Sequence, residues 1–245
     1  MTIELPLKSA AARGWTELPF AHPAWLTLRQ AGDMRESGAR RGVLEAIGIA
    51  PESVCMVRQI HSRRLRFADE LVAAGSTAAG DDRLEADGIL SEAGGPVLAV
   101  GVGDCVPIFV ADTRTGAYGI LHSGWKGTGI LRDAVVAMGA RYGTRPEDLV
   151  VLLGPCISGE SYAVDEARAR EYEAEWGPHA VVRRANRAYL DMRAANATIA
   201  RDAGIRTVSI VNHCTVLTAE LGSYRREGPH YTGMLAAVGP DRTPR

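Results

Sequence analysis

Residues 101–127, GVGDCVPIFVADTRTGAYGILHSGWKG, constrain the fold more than any other stretch of the chain. They read as two buried strands with a turn between them. Residues 97–102 and 108–111 are apolar and partly β-branched, which suits strands covered on both faces. Residues 112–116, DTRTG, are rich in turn formers, and residues 117–121 are apolar again. Each apolar run hands over a reactive side chain where it ends or bends. The first gives Asp104 and Cys105, punctuated by Pro107; the second gives His122, punctuated by Gly124. A thiol and an imidazole at strand ends, beside such punctuation, indicate a site carried on a rigid scaffold.

The rest of the chain can supply that scaffold. Its 245 residues are 46% hydrophobic and 23% charged, enough for a substantial core in one large domain or two small ones. Lys plus Arg number 28 against 29 Asp plus Glu, so no electrostatic excess points to nucleic acid. No apolar run approaches the ~20 residues of a membrane span. The N-terminal segment has no apolar core of signal-peptide length and carries an early Glu4. Four widely spaced cysteines fit a reduced, cytoplasmic protein and no disulfide framework.

Residues 1–35 show no clear period. The pattern predicts a short helix over 39–47, with Val43, Leu44 and Ile47 on one face and Gly48 as its stop. It predicts a strand over 54–60, a surface loop over 72–83 and a short strand after Ala86-Asp87-Gly88. Thr128 is a good N-cap for a helix whose stripe is Ile130, Leu131, Ala134, Val135 and Met138. A strand follows at 149–153, a helix over 163–175 and a second over 190–203. Strands at 207–211 and 233–238 flank a polar loop at 222–228. No repeat and no convincing linker divides the chain, and strands and helices mix without strict alternation. The expectation is one α/β (α+β) domain, 1–245, a sandwich with a mixed sheet and flanking helices.

His61, Cys105 and His122 each lie at or just past the end of an apolar run. Two imidazoles and a thiolate form a good zinc ligand set, and three protein ligands leave a fourth position for water or substrate. The spacing His-x43-Cys-x16-His is not that of a compact finger. The same residues also allow a small buried cysteine and two ordinary histidines. They allow a metal-free site as well, with Cys105 as nucleophile, His122 as base, and Asp104 or Asp87 orienting the imidazole. Gly124-Trp125-Lys126-Gly127 leads into a helix start, where Lys126 and free N–H groups suit an anion such as phosphate. Arg225 and Arg226, in a glycine-flanked loop, suit bidentate anion binding or plain solvation. The same choice applies to Arg63 and Arg64. Cys156, Cys214 and His213 read as structural, and Cys55 as core.

QIHS at 59–62, ADGILS at 86–91, GDCVP at 103–107, LHSGWKG at 121–127, LGPCI at 153–157 and SYRREGPHYTGMLAAV at 223–238 resemble the successive motifs of the YfiH-like proteins. That family was once labelled multicopper polyphenol oxidase, or laccase-domain, and is now described as purine nucleoside phosphorylases. The resemblance covers residues 54–238 and leaves a divergent segment at 1–53. It implies that His61, Cys105 and His122 bind one metal, usually zinc. It implies phosphate-dependent cleavage of adenosine, inosine, guanosine and methylthioadenosine, and deamination of adenosine. It also implies an α/β sandwich related to the cysteine-hydrolase domain of a deamidase toxin. The chain departs from the pattern in its N-terminal segment, at Gly103 where Ala is common, and in CISGESYAV after the Gly-Pro turn.

On this resemblance the partners expected are a purine nucleoside and phosphate, with Lys126 and Arg225 on the phosphate and Asp87 or Asp104 shuttling protons. Two other classes fit less of the chain. A multicopper oxidase needs many histidines in paired motifs, whereas this chain has six in total and no His-x-His. A non-enzymatic protein with structural zinc would need a fourth protein ligand, for which His213 or Cys214 would serve.

Overall fold

The computed structural model describes residues 1–80 and 82–240. In chain order the strands are β1 (Thr2–Ile3), β2 (Trp15–Glu17), β3 (Ala24–Thr27), β4 (Val54–Met56), β5 (Leu65–Phe67), β6 (Gly88–Ser91), β7 (Val97–Val102), β8 (Val106–Asp112), β9 (Tyr118–Ser123), β10 (Leu149–Leu153), β11 (Ala163–Val164), β12 (Val181–Arg184), β13 (Arg187–Leu190), β14 (Thr207–Val211) and β15 (Met234–Val238). The helices are α1 (Leu7–Ala10), α2 (Ser37–Ala46), α3 (Ala68–Ala74), α4 (Ile130–Tyr142), α5 (Glu166–Trp176), α6 (Met192–Asp202) and α7 (Tyr224–Glu227).

These strands form a mixed seven-stranded sheet of order β1-β14-β10-β8-β9-β6-β5 and a mixed five-stranded sheet of order β2-β3-β15-β7-β4. A small antiparallel sheet, β11-β13-β12, lies beside them in the order. The alternation of strand side chains sorts the core into layers. On β8, Val106, Ile108 and Val110 join the cluster under α4, α5 and α6. Phe109 and Ala111 point the other way, onto Leu98, Val100 and Val102 of β7 and Leu26 of β3. On β7, Val97 and Ala99 face outward and pack with Leu44 of α2. The order of layers is helices, seven-stranded sheet, five-stranded sheet, helix α2. The mixed α/β architecture expected from the sequence is the one found.

Several boundaries differ from the sequence reading. The organising stretch holds three strands, because β7 and β8 belong to different sheets and residues 103–105 cross from one layer to the other. β8 and β9 alone form the hairpin. The strand expected over 54–60 stops at Met56. Residues 72–74 complete α3, and the segment after it pairs with β4 through Thr77 and buries Ser76 and Ala78; only Asp81 of the expected loop falls outside the described residues. The N-cap of α4 is Gly129, at φ 102°, while the Thr128 hydroxyl donates to the Gly124 carbonyl at 3.0 Å. The helix expected from 163 starts at Glu166, capped by Asp165, and the loop at 222–228 contains α7. The β12–β13 hairpin turns through Ala185 and Asn186 at φ 47° and 58°, a left-handed pair that matches strand twist. Among the described residues no helix is long and apolar enough to cross a membrane.

Candidate metal centre

Asp87, fully buried just before β6, gathers the site. Its carboxylate accepts hydrogen bonds from the backbone N–H groups of Ile60, His61 and Ser62 at 3.3, 3.0 and 2.6 Å, and from the Ser62 hydroxyl at 2.8 Å. It also meets His122 Nδ1 at 3.0 Å. Upstream, the Gln59 amide pairs with the Gly101 backbone in both directions, at 2.8 and 2.7 Å, as a neighbouring strand would. The motif QIHS is thus a loop pinned at one end to β7 and wrapped at the other around a carboxylate. That wrapping holds His61 at φ 55°, a strained value that an isolated histidine rarely adopts.

Cys105 sits in the crossing between the sheets. Its neighbour Asp104, at φ 128°, is fixed by three bonds. The Thr215 hydroxyl and the Arg225 N–H donate to its carboxylate at 2.5 and 2.7 Å, and the Ile157 N–H donates to its carbonyl at 2.9 Å. His122 is held in β9, opposite Pro107 of β8. The result is convergence: the ligand atoms of His61, Cys105 and His122 all lie within 4.8 Å of one another. The two imidazole rings stand edge to face with centroids 5.0 Å apart. Gly124 closes the group, since a Cβ there would lie 3.0 Å from Cys105 Sγ and 3.3 Å from His61 Cδ2.

Electrostatics follow the geometry. Burial favours the neutral acid at Asp87, but hydrogen bonds from His122 and Ser62 outweigh it and hold the carboxyl down to about 2. Burial also opposes ionisation of Cys105, yet the charge and hydrogen bond of His122, then those of His61, bring the thiol down to about 6. Burial would lower His122, and the Cys105 and Asp87 charges raise it instead. An ionised Asp87 accepts a hydrogen bond from the N–H of His122 Nδ1, which keeps the proton there and leaves Nε2 as the ligand atom. Two imidazole nitrogens and a thiolate, with a carboxylate behind one imidazole, are a donor set that fits zinc with one position open.

The other sequence candidates separate. Lys126 is exposed, with Nζ 5.4 Å from the Trp125 ring centroid. The Arg225 guanidinium lies 5.1 Å over Tyr162 and donates to the Ala163 carbonyl at 3.0 Å. Arg226 is structural, bonded to the carbonyls of Thr215, Val216 and Thr218 and to Glu227. Arg63 forks onto Asp133 of α4 with two bonds of 2.7 Å, and Arg64 pairs with Glu85. His213 Nε2 accepts the Leu5 N–H at 2.9 Å, and Cys214 pairs with Cys156 only through a backbone β-bridge, both thiols free; neither joins the three candidate ligands. Burial pushes Cys55 to about 11 and Cys156 to about 12, as inert core thiols.

Two residues near the centre, Tyr162 and Arg168, were given no role by the sequence, and Trp125 entered only as part of the Gly124–Gly127 turn. Recognising Asp165 as an N-cap would have placed Arg168 in the first turn of α5. Gly103 has a specific counterpart here, because a Cβ at that position would lie 2.3 Å from Cε2 of Tyr231. The tyrosine ring occupies the space an alanine methyl would need.

Fold and donor group together define a class: mixed α/β sandwiches that present a His–Cys–His cluster where two sheets meet. Comparison with known proteins agrees. A family model described as "Multi-copper polyphenol oxidoreductase laccase" matches residues 28–239. A purine nucleoside phosphorylase of Deinococcus radiodurans is 31% identical over 204 residues, covering 83% of this chain and 76% of its own. Adenosine deaminase RL5, from an unknown prokaryotic organism, is 30% identical over 190 residues, covering 74% and 72%. The crystal structure of YlmD from Geobacillus stearothermophilus superposes with a TM-score of 0.81 at 25% identity, covering 94% of this chain and 97% of that one. The chain belongs to the YfiH-like, laccase-domain family.

Proposed function

We propose that this protein is a zinc-dependent purine nucleoside phosphorylase that also deaminates adenosine. The observation that carries the reading is the convergence of His61, Cys105 and His122 in front of Asp87, in a chain whose relatives bear those two names. Zinc bound there supplies Lewis-acid polarisation of the substrate, or an acidified water for deamination. Asp87 keeps the proton on His122 Nδ1 and is too acidic to shuttle one. Asp104, which burial raises from its ordinary value, is the acid we assign to hold a proton in transit. Lys126 and Arg225 hold the phosphate, whose oxygen attacks C1′ of the sugar. The C1′–N bond breaks, the purine leaves with a proton, and ribose-1-phosphate is released. The residues involved run from His61 to Arg225, so the chain, 1–245, works as a single domain. Its free thiols suit the cytoplasm.

Purified protein given inosine and phosphate should release ribose-1-phosphate, and given adenosine should release ammonia. Zinc-bound protein that turns over no purine nucleoside overturns the reading. A second reading has one observation in its favour. Cys105, His122 and Asp87 line up as nucleophile, base and orienting carboxylate, with the thiol already lowered to about 6. Activity that survives complete removal of metal would select that metal-free cysteine hydrolase. The copper oxidase of the old family label lacks support from the residues, since the described ones bring together a single group of three ligands.

A further inference from the structure

Arg168 lies in the first turn of α5, outside every motif that carries the family resemblance. Its guanidinium stacks 4.8 Å from the Trp125 centroid, the ring that Lys126 also faces. Trp125 follows directly on Gly124, where an added Cβ would lie 3.0 Å from Cys105 Sγ and 3.3 Å from His61 Cδ2. The Arg225 backbone is fastened by Asp104 beside Cys105, and its guanidinium covers Tyr162. Burial raises the Tyr162 hydroxyl, which also feels the charges of Cys105, Arg168, Arg225 and Asp104. Three cations are therefore held near the metal centre, Lys126 and Arg168 against Trp125 and Arg225 against Tyr162, whose hydroxyl feels the charges of both arginines. Among the described residues neither Lys126 nor Arg225 is ion-paired with a carboxylate. The acid nearest Arg168 in its ion pairing is Asp165, 3.9 Å from the guanidinium. One oxygen of that carboxylate is already committed to capping α5. Stacking fixes the plane of a guanidinium and leaves its N–H edge free, the arrangement that grips a tetrahedral oxyanion with two parallel bonds.

We propose that Arg168, held on Trp125, is the specificity-determining residue for inorganic phosphate and completes an anion subsite with Lys126 and Arg225 beside the metal centre. The proposal rests on the phosphorylase reading above. It assigns to an α5 residue the selection of phosphate over water as the attacking nucleophile.

Two measurements on the full chain test it. Calorimetric titration with inorganic phosphate should show binding to wild type that weakens about tenfold or more in Arg168→Ala, the effect of losing one charge-assisted contact, with part recovered in Arg168→Lys. In turnover, Arg168→Ala should raise the KM for phosphate by a similar factor while the KM for inosine stays close to wild type. The ratio of phosphorolysis to adenosine deamination should fall, whereas a merely structural role would depress both together. Equal phosphate affinity in wild type and Arg168→Ala overturns the proposal. So does a wild type that binds adenosine 5′-monophosphate but not inorganic phosphate, since the subsite then belongs to a phosphorylated substrate. If wild type turns over no nucleoside, the phosphorylase reading fails, and the calorimetric result decides the subsite separately.

Discussion

Asp87 is where three backbone N–H groups, one hydroxyl and one imidazole meet. A carboxylate so engaged sets the loop that carries one ligand and the tautomer of another. Replacing it with asparagine exchanges two acceptor oxygens for one, and the new amide N–H groups face donors. Asp87→Asn should therefore weaken zinc about 10–100-fold, the usual cost of losing such a partner, as read by competition with a chelating dye. Cys105 poses a simpler test. Cys105→Ala should abolish stoichiometric zinc and activity together, whereas Cys156→Ala and Cys214→Ala should keep zinc, because neither thiol reaches the group. Metal analysis of the three variants distinguishes them. A Cys105→Ala protein that retains its zinc would leave the proposed chemistry without a site.

The β8–β9 hairpin presents Cys105 and His122 at its open end, and its closed end is tied by Asp112. That buried carboxylate accepts the N–H groups of Arg114 and Thr115 at 2.8 and 3.0 Å. Burial opposes its ionisation, but the Thr115 contacts and the other turn donors prevail and lower it below 3.8. A depressed carboxyl stabilises the fold above its unfolded value, and that stability is lost as pH falls through the folded value. Asp112→Ala should cost about 1–3 kcal/mol in urea unfolding near neutral pH. Its deficit relative to wild type should shrink below about pH 4. A deficit that stays constant into acid would show that charge plays no part in the turn.

The hairpin also shows what the sequence discloses. Apolar runs over 97–102, 108–111 and 117–121 announced buried strands, and the turn residues between the last two announced their connection. That β7 and β8 lie in different layers was not legible. An apolar strand carries no mark of which sheet will accept it, and only long-range packing of Leu98 and Phe109 face to face decides. On spacing alone His61, Cys105 and His122 could equally be structural, and it is the motif resemblance that groups them; the structure brings their donor atoms within 4.8 Å of one another. Arg168 was not legible, because a helix-surface arginine in isolation looks solvated. Thr128 has the composition of an N-cap, but the tight approach of Trp176 and Arg63 admits only glycine at the adjacent position 129, which caps the helix instead.

Across the whole molecule, the centre draws on both sheets. His61 follows β4 of the five-stranded sheet, Cys105 lies in the crossing from β7 of that sheet to β8 of the seven-stranded one, and His122 sits in β9 of the latter. An ion bound by all three fastens one layer to the other, and its binding free energy adds to folding free energy. Stripping zinc with a chelator should lower Tm, and the Tm of the loaded protein should climb with free zinc concentration. Cys105→Ala should abolish that dependence, as followed by thermal scanning.

The position of β15 bears on the order in which this chain is made. β15 pairs with β3 on one side and β7 on the other, so the last of the described strands in chain order fills the middle of its sheet. Synthesis delivers β3 and β7 long before their shared neighbour. Until residue 238 has left the ribosome, both strands present open edges that other nascent chains can pair with. Asp104 meanwhile waits for Thr215 and Arg225 to lock the turn at Cys105. The turn that carries Cys105 is thus completed by residues 111 and 121 positions further along the chain than Asp104, so the proposed centre takes its final shape late in synthesis, well after all three of its donors have been made.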